Sequence, residues 1–266
     1  MSINDLTFRR FSDWMKQQTG VFLSEAKKPL VQQRLHKRLQ ARRLPSLEAY
    51  FKLLNAPEED AERQIAIDLL TTHETYFFRE EKHFDWLKSQ LQHWPRRQTF
   101  NVWCAAASSG EEVWTLAMVL ADGLGVDGDW HVLGSDISLP MLEKAERGHY
   151  PLERCERIPP DTLRRYCLKG TGRQQGTMLI GKPLRSHVGF RPINLDQALP
   201  AMGPFSLIFM RNVLIYFNGE TKQQVVSRAL LRLQDEGHFV VSHSESLHGL
   251  VLPLRAVAPG VYRKSP

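Results

Sequence analysis

The chain is poor in cysteine. Its 266 residues include three, Cys104, Cys155 and Cys167, with no CxxC pair among them. An odd set without metal-ligand spacing offers neither a disulfide framework nor a zinc site, and it fits a reducing, cytoplasmic setting. No apolar run reaches the ~20 residues a membrane helix needs. The opening MSINDLTFRRFSDW has no signal-peptide core. Internal repeats and low-complexity tracts are absent. So are a Ser–His–Asp pattern and a metal-ligand motif. His243 and His248 stand five apart beside Glu245, which is not a usual ligand spacing, and no metal is expected.

Acids are missing from two stretches. Residues 27–43, KKPLVQQRLHKRLQARR, hold seven Lys or Arg and no Asp or Glu, and residues 162–192 do the same. The net charge of +6 admits nucleic acid, an anionic surface or an acidic protein as partner. No aromatic residue lies within 27–43 for bases to stack on, which argues against nucleic acid. At 42% hydrophobic and 24% charged, the chain is globular in composition.

Residues 4–90 read as helical. DLTFRRFSDWMKQQTG stops at Gly20, and Pro29 suits a helix first turn. Leu30, Val31, Leu35 and Leu39 recur at helical spacing, with Arg34, Arg38 and Arg42 as a basic row. From residue 99, strands alternate with helices: FNVWCA, EEVWTLAMVLADGL, WHVLGSD, LPMLEKAERGHY, VGFRPINL, FSLIFMRNV, TKQQVVSRALLRLQ and HFVVSHSES, then a closing hairpin LRAVAP–GVYRK. This predicts an α/β doubly wound, Rossmann-like sheet with an antiparallel C-terminal edge, behind a small all-helical domain. The expected boundaries are 1–90 for the helical domain and linker and 91–266 for the sheet domain. A glycine-rich β insertion is expected near 163–188.

The stretch VWCAAASSGEE, residues 102–112, shows what the sheet domain holds. Strand, small-residue loop and helix make the layout of a nucleotide site. Yet the loop has one glycine and no lysine, so it is neither GxGxxG nor a GKS/GKT loop. Glu111 and Glu112 stand where a pyrophosphate would need free amides. Acids there favour a cationic ligand without phosphate, such as S-adenosylmethionine. Asp136 ends the second strand, where an acid holds ribose hydroxyls. Glu112 is equally well explained as a complement to the helix dipole.

Five segments in order then bring a resemblance: THETYFFRE, AAASSGEE, SDIS with LEKAERGHY, INL, and FMRNVLIYF. Together they resemble the CheR-type chemotaxis receptor methyltransferases, over nearly the whole chain. The resemblance implies S-adenosylmethionine as cofactor, S-adenosylhomocysteine as product, and glutamate methyl esters on receptor signalling helices. It implies cofactor contacts from His73, Thr75, Arg79, Glu111, Asp136, Asn194, Leu195, Arg211 and Asn212. Tyr216 borders cofactor and substrate in the same pattern. His73 departs from it, since asparagine is usual there.

A glutamate acceptor, with a pKa of about 4.3, is ionised at neutral pH and needs no general base. The expected catalytic residues are therefore positioning groups: Arg79, whose guanidinium grips a carboxylate, and Tyr216. Arg34, Lys37, Arg38 and Arg42 are expected to dock acidic receptor helices. The resemblance leaves two roles open for the insertion: Lys169, Arg173 and Arg185 meet a receptor C-terminal peptide added as a strand, as in some family members, or the segment is a plain hairpin that shields the cofactor cleft. A nucleic-acid methyltransferase is the first rival, but RNVLIYF is not the NPPY- or DPPY-like loop it would carry. A non-catalytic cofactor sensor is the second. A dehydrogenase is disfavoured by the missing pyrophosphate loop.

Overall fold

The structure, a computed structural model, describes residues 3–95 and 97–265. The chain divides into two compact units. One runs to Thr72 and includes Ile215–Lys222; the other comprises His73–Leu214 and the chain from Gln223.

The first unit is built on four helices, α1 (Asp5–Thr19), α2 (Lys28–Ala41), α3 (Leu47–Leu54) and α4 (Asp60–Leu70). Their ends follow local chemistry. Asn4 caps α1 by accepting the Thr7 N–H, Gly20 closes it at φ 73°, and Ser46 caps α3 by accepting the Ala49 N–H. Pro29 sits in the first turn of α2. Phe11, Met15, Val31, Leu35, Tyr50 and Leu54 are fully buried.

The basic row of α2 is turned to this packing. Arg34 donates to the Leu69 and Thr71 carbonyls at 3.0 and 2.6 Å. Arg38 holds buried Glu62 through two bonds of 2.8 and 2.7 Å, and Arg42 pairs with Glu59 and Glu62. These guanidiniums brace α2 on α4. Lys37 stays exposed.

The second unit begins with α5 (Lys82–Leu91) and continues β1 (Phe100–Cys104), α6 (Glu111–Leu124), β2 (Trp130–Asp136), α7 (Leu139–Arg147), β3 (His149–Pro151), α8 (Pro160–Tyr166), β4 (Cys167–Lys169), β5 (Thr177–Ile180), α9 (Lys182–Arg185), β6 (Val188–Pro192) and β7 (Phe205–Phe209). After α10 (Gly219–Leu230) come β8 (Leu233–Val240), β9 (Leu254–Ala258) and β10 (Val261–Lys264). The main sheet has the order β6-β2-β1-β7-β8-β10-β9. Its first five strands are parallel, and β10 and β9 close it antiparallel. β1 and β7 are apolar almost throughout because both faces are covered. α6 is buried nearly all round, as VWTLAMVLA requires.

Residues 73–91, grouped in sequence with the helical part, belong to the sheet unit. Phe77, Phe84, Leu87 and Leu91 enter the core that holds Val102, Leu116 and Val240. The small antiparallel sheet β3-β5-β4 also starts earlier than the glycine-rich stretch. Gly148 ends α7 at φ 58° and turns HYP into its first strand instead of a last helical turn. Arg185 does not face outward for a peptide. It donates to the Arg147 and Glu146 carbonyls at 2.8 and 2.7 Å, closing the end of α7. Lys169 and Arg173 are exposed.

Candidate functional site

The strand order reverses at β1, between β2 and β7, and the loop 105–110 lies beyond the C-terminal end of β1. Four of its amides are engaged inside the protein. The Ala105 N–H donates to the Phe209 carbonyl (2.8 Å), Ala107 to Ser135 (2.8 Å) and Gly110 to Ala107 (2.9 Å). The Ser108 N–H donates to Asp136 Oδ2 at 2.8 Å. A pyrophosphate would find these donors already taken.

Asp136 is 9% exposed, and its other oxygen accepts the Ser138 N–H at 3.0 Å. A carboxylate has about four acceptor positions, so it is pinned with capacity left for hydroxyls. The Asp136 carbonyl accepts the Ile193 N–H at 3.0 Å, which brings Asn194 and Leu195 to the same strand ends. There Asn194 Oδ1 accepts the Asp196 N–H, and the Leu195 carbonyl accepts from Arg228.

Glu111 is fully buried. Ser109 Oγ donates to its Oε2 at 2.7 Å, while Oε1 is ion-paired with Arg154 Nη2 at 2.5 Å. Arg154 also donates to the Thr75 carbonyl at 3.0 Å, and Ser108 Oγ donates to the His73 carbonyl at 2.9 Å. The segment 73–76 is thereby tied beside the loop. A cavity of about 370 Å³ lies between His73–Tyr76 and Glu153, Arg154, Glu156 and Arg157. Arg157 and Arg79 stand 4.5 and 5.5 Å from the centre of the Tyr76 ring, while Phe77 and Phe78 are core. A buried carboxylate paired with Arg154, a second pinned acid and a loop with four of its amides already taken fit a phosphate-free nucleoside.

Arg79 Nη1 donates to the Glu74 carbonyl at 2.8 Å, and its own carbonyl accepts from Arg211 Nη2 at 2.6 Å. The Arg211 side chain is wholly buried. It lies 2.5 Å from Glu112, 3.1 Å from Glu80, and over the Phe84 and Phe209 rings. Its charge is thus used inside the protein. Burial pushes the Glu112 carboxyl up against the pull of Arg211, and raises the neighbouring Cys104 thiol as well.

Asn212 adopts φ 57°, held by Glu245, which accepts the Asn212, Leu214 and Ser242 N–H groups at 2.9, 2.7 and 2.9 Å. Glu245 is therefore a loop clamp. Tyr216 groups with the helical unit, where its carbonyl accepts the Phe22 N–H at 2.9 Å. Arg154, Glu80 and Glu245 were missed in sequence, because their partners lie tens of residues away and no local pattern marks them.

Fold and site together define a methyltransferase domain of the S-adenosylmethionine-dependent class. The chain matches the family described as CheR methyltransferase, SAM binding domain, over residues 73–258, and its all-alpha domain over residues 6–71. It is 37% identical to the chemotaxis protein methyltransferase of Salmonella typhimurium, over 100% of this chain and 92% of that one. It is 38% identical to the Escherichia coli protein of that description, covering 94% and 87% of the two chains. It is also 38% identical to chemotaxis protein methyltransferase 2 of Pseudomonas aeruginosa, covering 96% and 91%. The chain belongs to the CheR methyltransferase family. No helix among the described residues is long and apolar enough to cross a membrane.

Proposed function

We propose that this chain methylates glutamate side chains of chemoreceptors, using S-adenosylmethionine. The observation that carries the reading is the pair of acids at the strand ends, Glu111 and Asp136, around a loop with four of its amides already engaged. Bound S-adenosylmethionine supplies an electrophilic methyl group. The rest of the task is binding, orientation and exclusion of water. Asp136 holds the ribose hydroxyls and Glu111 answers positive charge. His73 and Thr75 border the cofactor through the segment tied down by Ser108 and Arg154. Asn194 and Leu195 flank the adenine.

Arg79 orients the acceptor carboxylate by paired hydrogen bonds and leaves it ionised. Arg211 and Asn212 shape the opposite wall, Arg211 by fixing the Arg79 backbone and Asn212 through its clamped turn. Tyr216 borders the acceptor. Acidic receptor helices dock on α2, where Lys37 is exposed beside the braced Arg34, Arg38 and Arg42. Lys169 and Arg173 of the small sheet meet a receptor tail. The protein works in the cytoplasm, where receptor signalling helices lie.

The test is transfer from methyl-labelled S-adenosylmethionine to receptor cytoplasmic fragments, followed by mild alkali. Volatile labelled methanol is expected from a glutamate methyl ester. Alkali-stable label would place the methyl on another atom, and label on nucleic acid alone would replace the reading.

A further inference from the structure

Beside the Arg79 segment, three side chains far apart in sequence converge: Glu80, His83 in the first turn of α5, and His243 beyond β8. Their ligand atoms all lie within 4.8 Å of one another. His83 Nδ1 is 3.5 Å from Glu80 Oε2, and His243 Nδ1 is 3.6 Å from the same oxygen. Donors on a tetrahedral ion with bonds of 2.0–2.1 Å sit about 3.3 Å apart, so the two distances to Glu80 are close to those of a coordination shell, and the two imidazoles lie within 4.8 Å of each other.

The hydrogen bonding of His83 sharpens the point. Its side chain is 2% exposed. Its Nε2 faces the Pro259 carbonyl at 3.2 Å, and a carbonyl can only accept, so Nε2 carries the proton. Nδ1 is then left with a lone pair, buried, without a hydrogen-bond partner, and turned toward a carboxylate. Arg211 and the His243 N–H answer the Glu80 oxygen, but the buried Nδ1 lone pair of His83 has no donor of its own.

We propose that Glu80, His83 and His243 form a binding site for a divalent transition-metal ion of the zinc class. Two imidazoles and one carboxylate suit zinc, cobalt or nickel; magnesium and calcium call for oxygen-rich shells. Water completes the coordination, and His243, 38% exposed, lies on the open side. The Pro259 carbonyl plays the part that a metal-bound histidine's second nitrogen usually needs, fixing tautomer and ring. Glu80 Oε2 also accepts the His243 N–H at 3.0 Å and lies 3.1 Å from Arg211, whose charge opposes the ion. Affinity is therefore moderate. A bound ion would tie the residue after Arg79 to the Ser242–Glu245 turn that clamps Asn212.

Chelator-treated full chain titrated with zinc chloride should bind one ion by calorimetry. Cobalt chloride should give the visible spectrum of a four-coordinate, thiolate-free site. His243→Ala should weaken zinc at least tenfold and abolish the zinc-dependent rise in Tm. Glu80→Gln should weaken it similarly, while His36→Ala, at an exposed histidine of the helical unit, should change nothing. Absence of zinc binding, or zinc affinity in His243→Ala and Glu80→Gln unchanged from the native chain, would overturn the site and leave the cluster a packing contact.

Discussion

Arg211, just past β7, and Glu112, in the first turn of α6, meet as a buried ion pair with 2.5 Å between Nη1 and Oε2. Arg211 also reaches the Arg79 carbonyl and Glu80, so one guanidinium joins three parts of the domain around the candidate site. Removing one member of such a pair strands the other charge. Arg211→Ala is expected to cost about 3–5 kcal/mol, read as a lower urea midpoint. Arg211→Lys keeps the charge without the fork and should fall between the two. An alanine variant with the native midpoint would mean the pair adds no stability.

Asp136 accepts one backbone amide on each oxygen. Asp136→Ala removes both the pinned acceptor and its charge. Losing charged hydrogen bonds worth ~1.5–3 kcal/mol should weaken S-adenosylmethionine roughly 10- to 100-fold by calorimetry. Unchanged affinity would sink the ribose assignment.

Arg79→Ala separates orientation of the acceptor from cofactor binding. The guanidinium touches only the Glu74 carbonyl and the Tyr76 ring among its described partners, and the backbone carbonyl that Arg211 grips survives the substitution. Methyl transfer should be abolished while cofactor affinity stays within a few-fold. If calorimetry instead shows affinity lost, Arg79 belongs to the cofactor.

How far these features were readable in the sequence follows from their range. The stop at Gly20, Pro29 in the first turn of α2, and the apolar runs of β1, β7 and α6 are local and were legible. The strand-loop-helix that carries Glu111, and the strand that ends at Asp136, were legible because apolar runs broken by a small-residue loop are a local pattern. The row Arg34, Arg38, Arg42 shows the limit. Its helical spacing was visible, but its partners Glu59, Glu62, Leu69 and Thr71 come from 17 to 37 positions away, and only folding reveals that the row turns inward. Arg154 on Glu111 and Glu245 on Asn212 were hidden for the same reason.

Glu62 gives the helical unit an acid sensitivity. It is 2% exposed and accepts from Arg38, Arg42 and the Tyr50 hydroxyl. Burial pushes its carboxyl up, but the hydrogen bonds and charge of Arg38, with Tyr50 and Arg42, outweigh that and hold it below the ordinary value. The unfolded chain then binds the extra proton first. The stabilisation is present above the unfolded pKa and is lost as pH falls through the folded one. Stability measured from pH 6 down to 3 should fall, and Glu62→Gln should flatten that slope. At neutral pH the same substitution should cost about 3 kcal/mol, the low end for a broken buried pair, because Arg38 is 24% exposed and can rehydrate.

Gly110 tests how the loop itself is built. It stands at φ 94° between the loop and α6, a backbone region that disfavours any side chain. A Cβ there would meet Ala145 Cβ at 2.6 Å, Ala145 Cα at 2.8 Å and the Tyr150 hydroxyl at 2.9 Å. That hydroxyl donates to the Ser109 carbonyl at 2.6 Å and is buried, so it has little room to yield. Gly110→Ala therefore combines backbone strain with overpacking at one point. Together these should cost about 2–4 kcal/mol. Because Ser109 and Glu111 flank the position, S-adenosylmethionine affinity should fall together with the urea midpoint. Native stability with weakened cofactor binding would show a loop that adapts at the ligand's expense. Native values for both would show that α7 moves away from the loop, and that the close approach of Gly110 to Ala145 does not set the shape of the site.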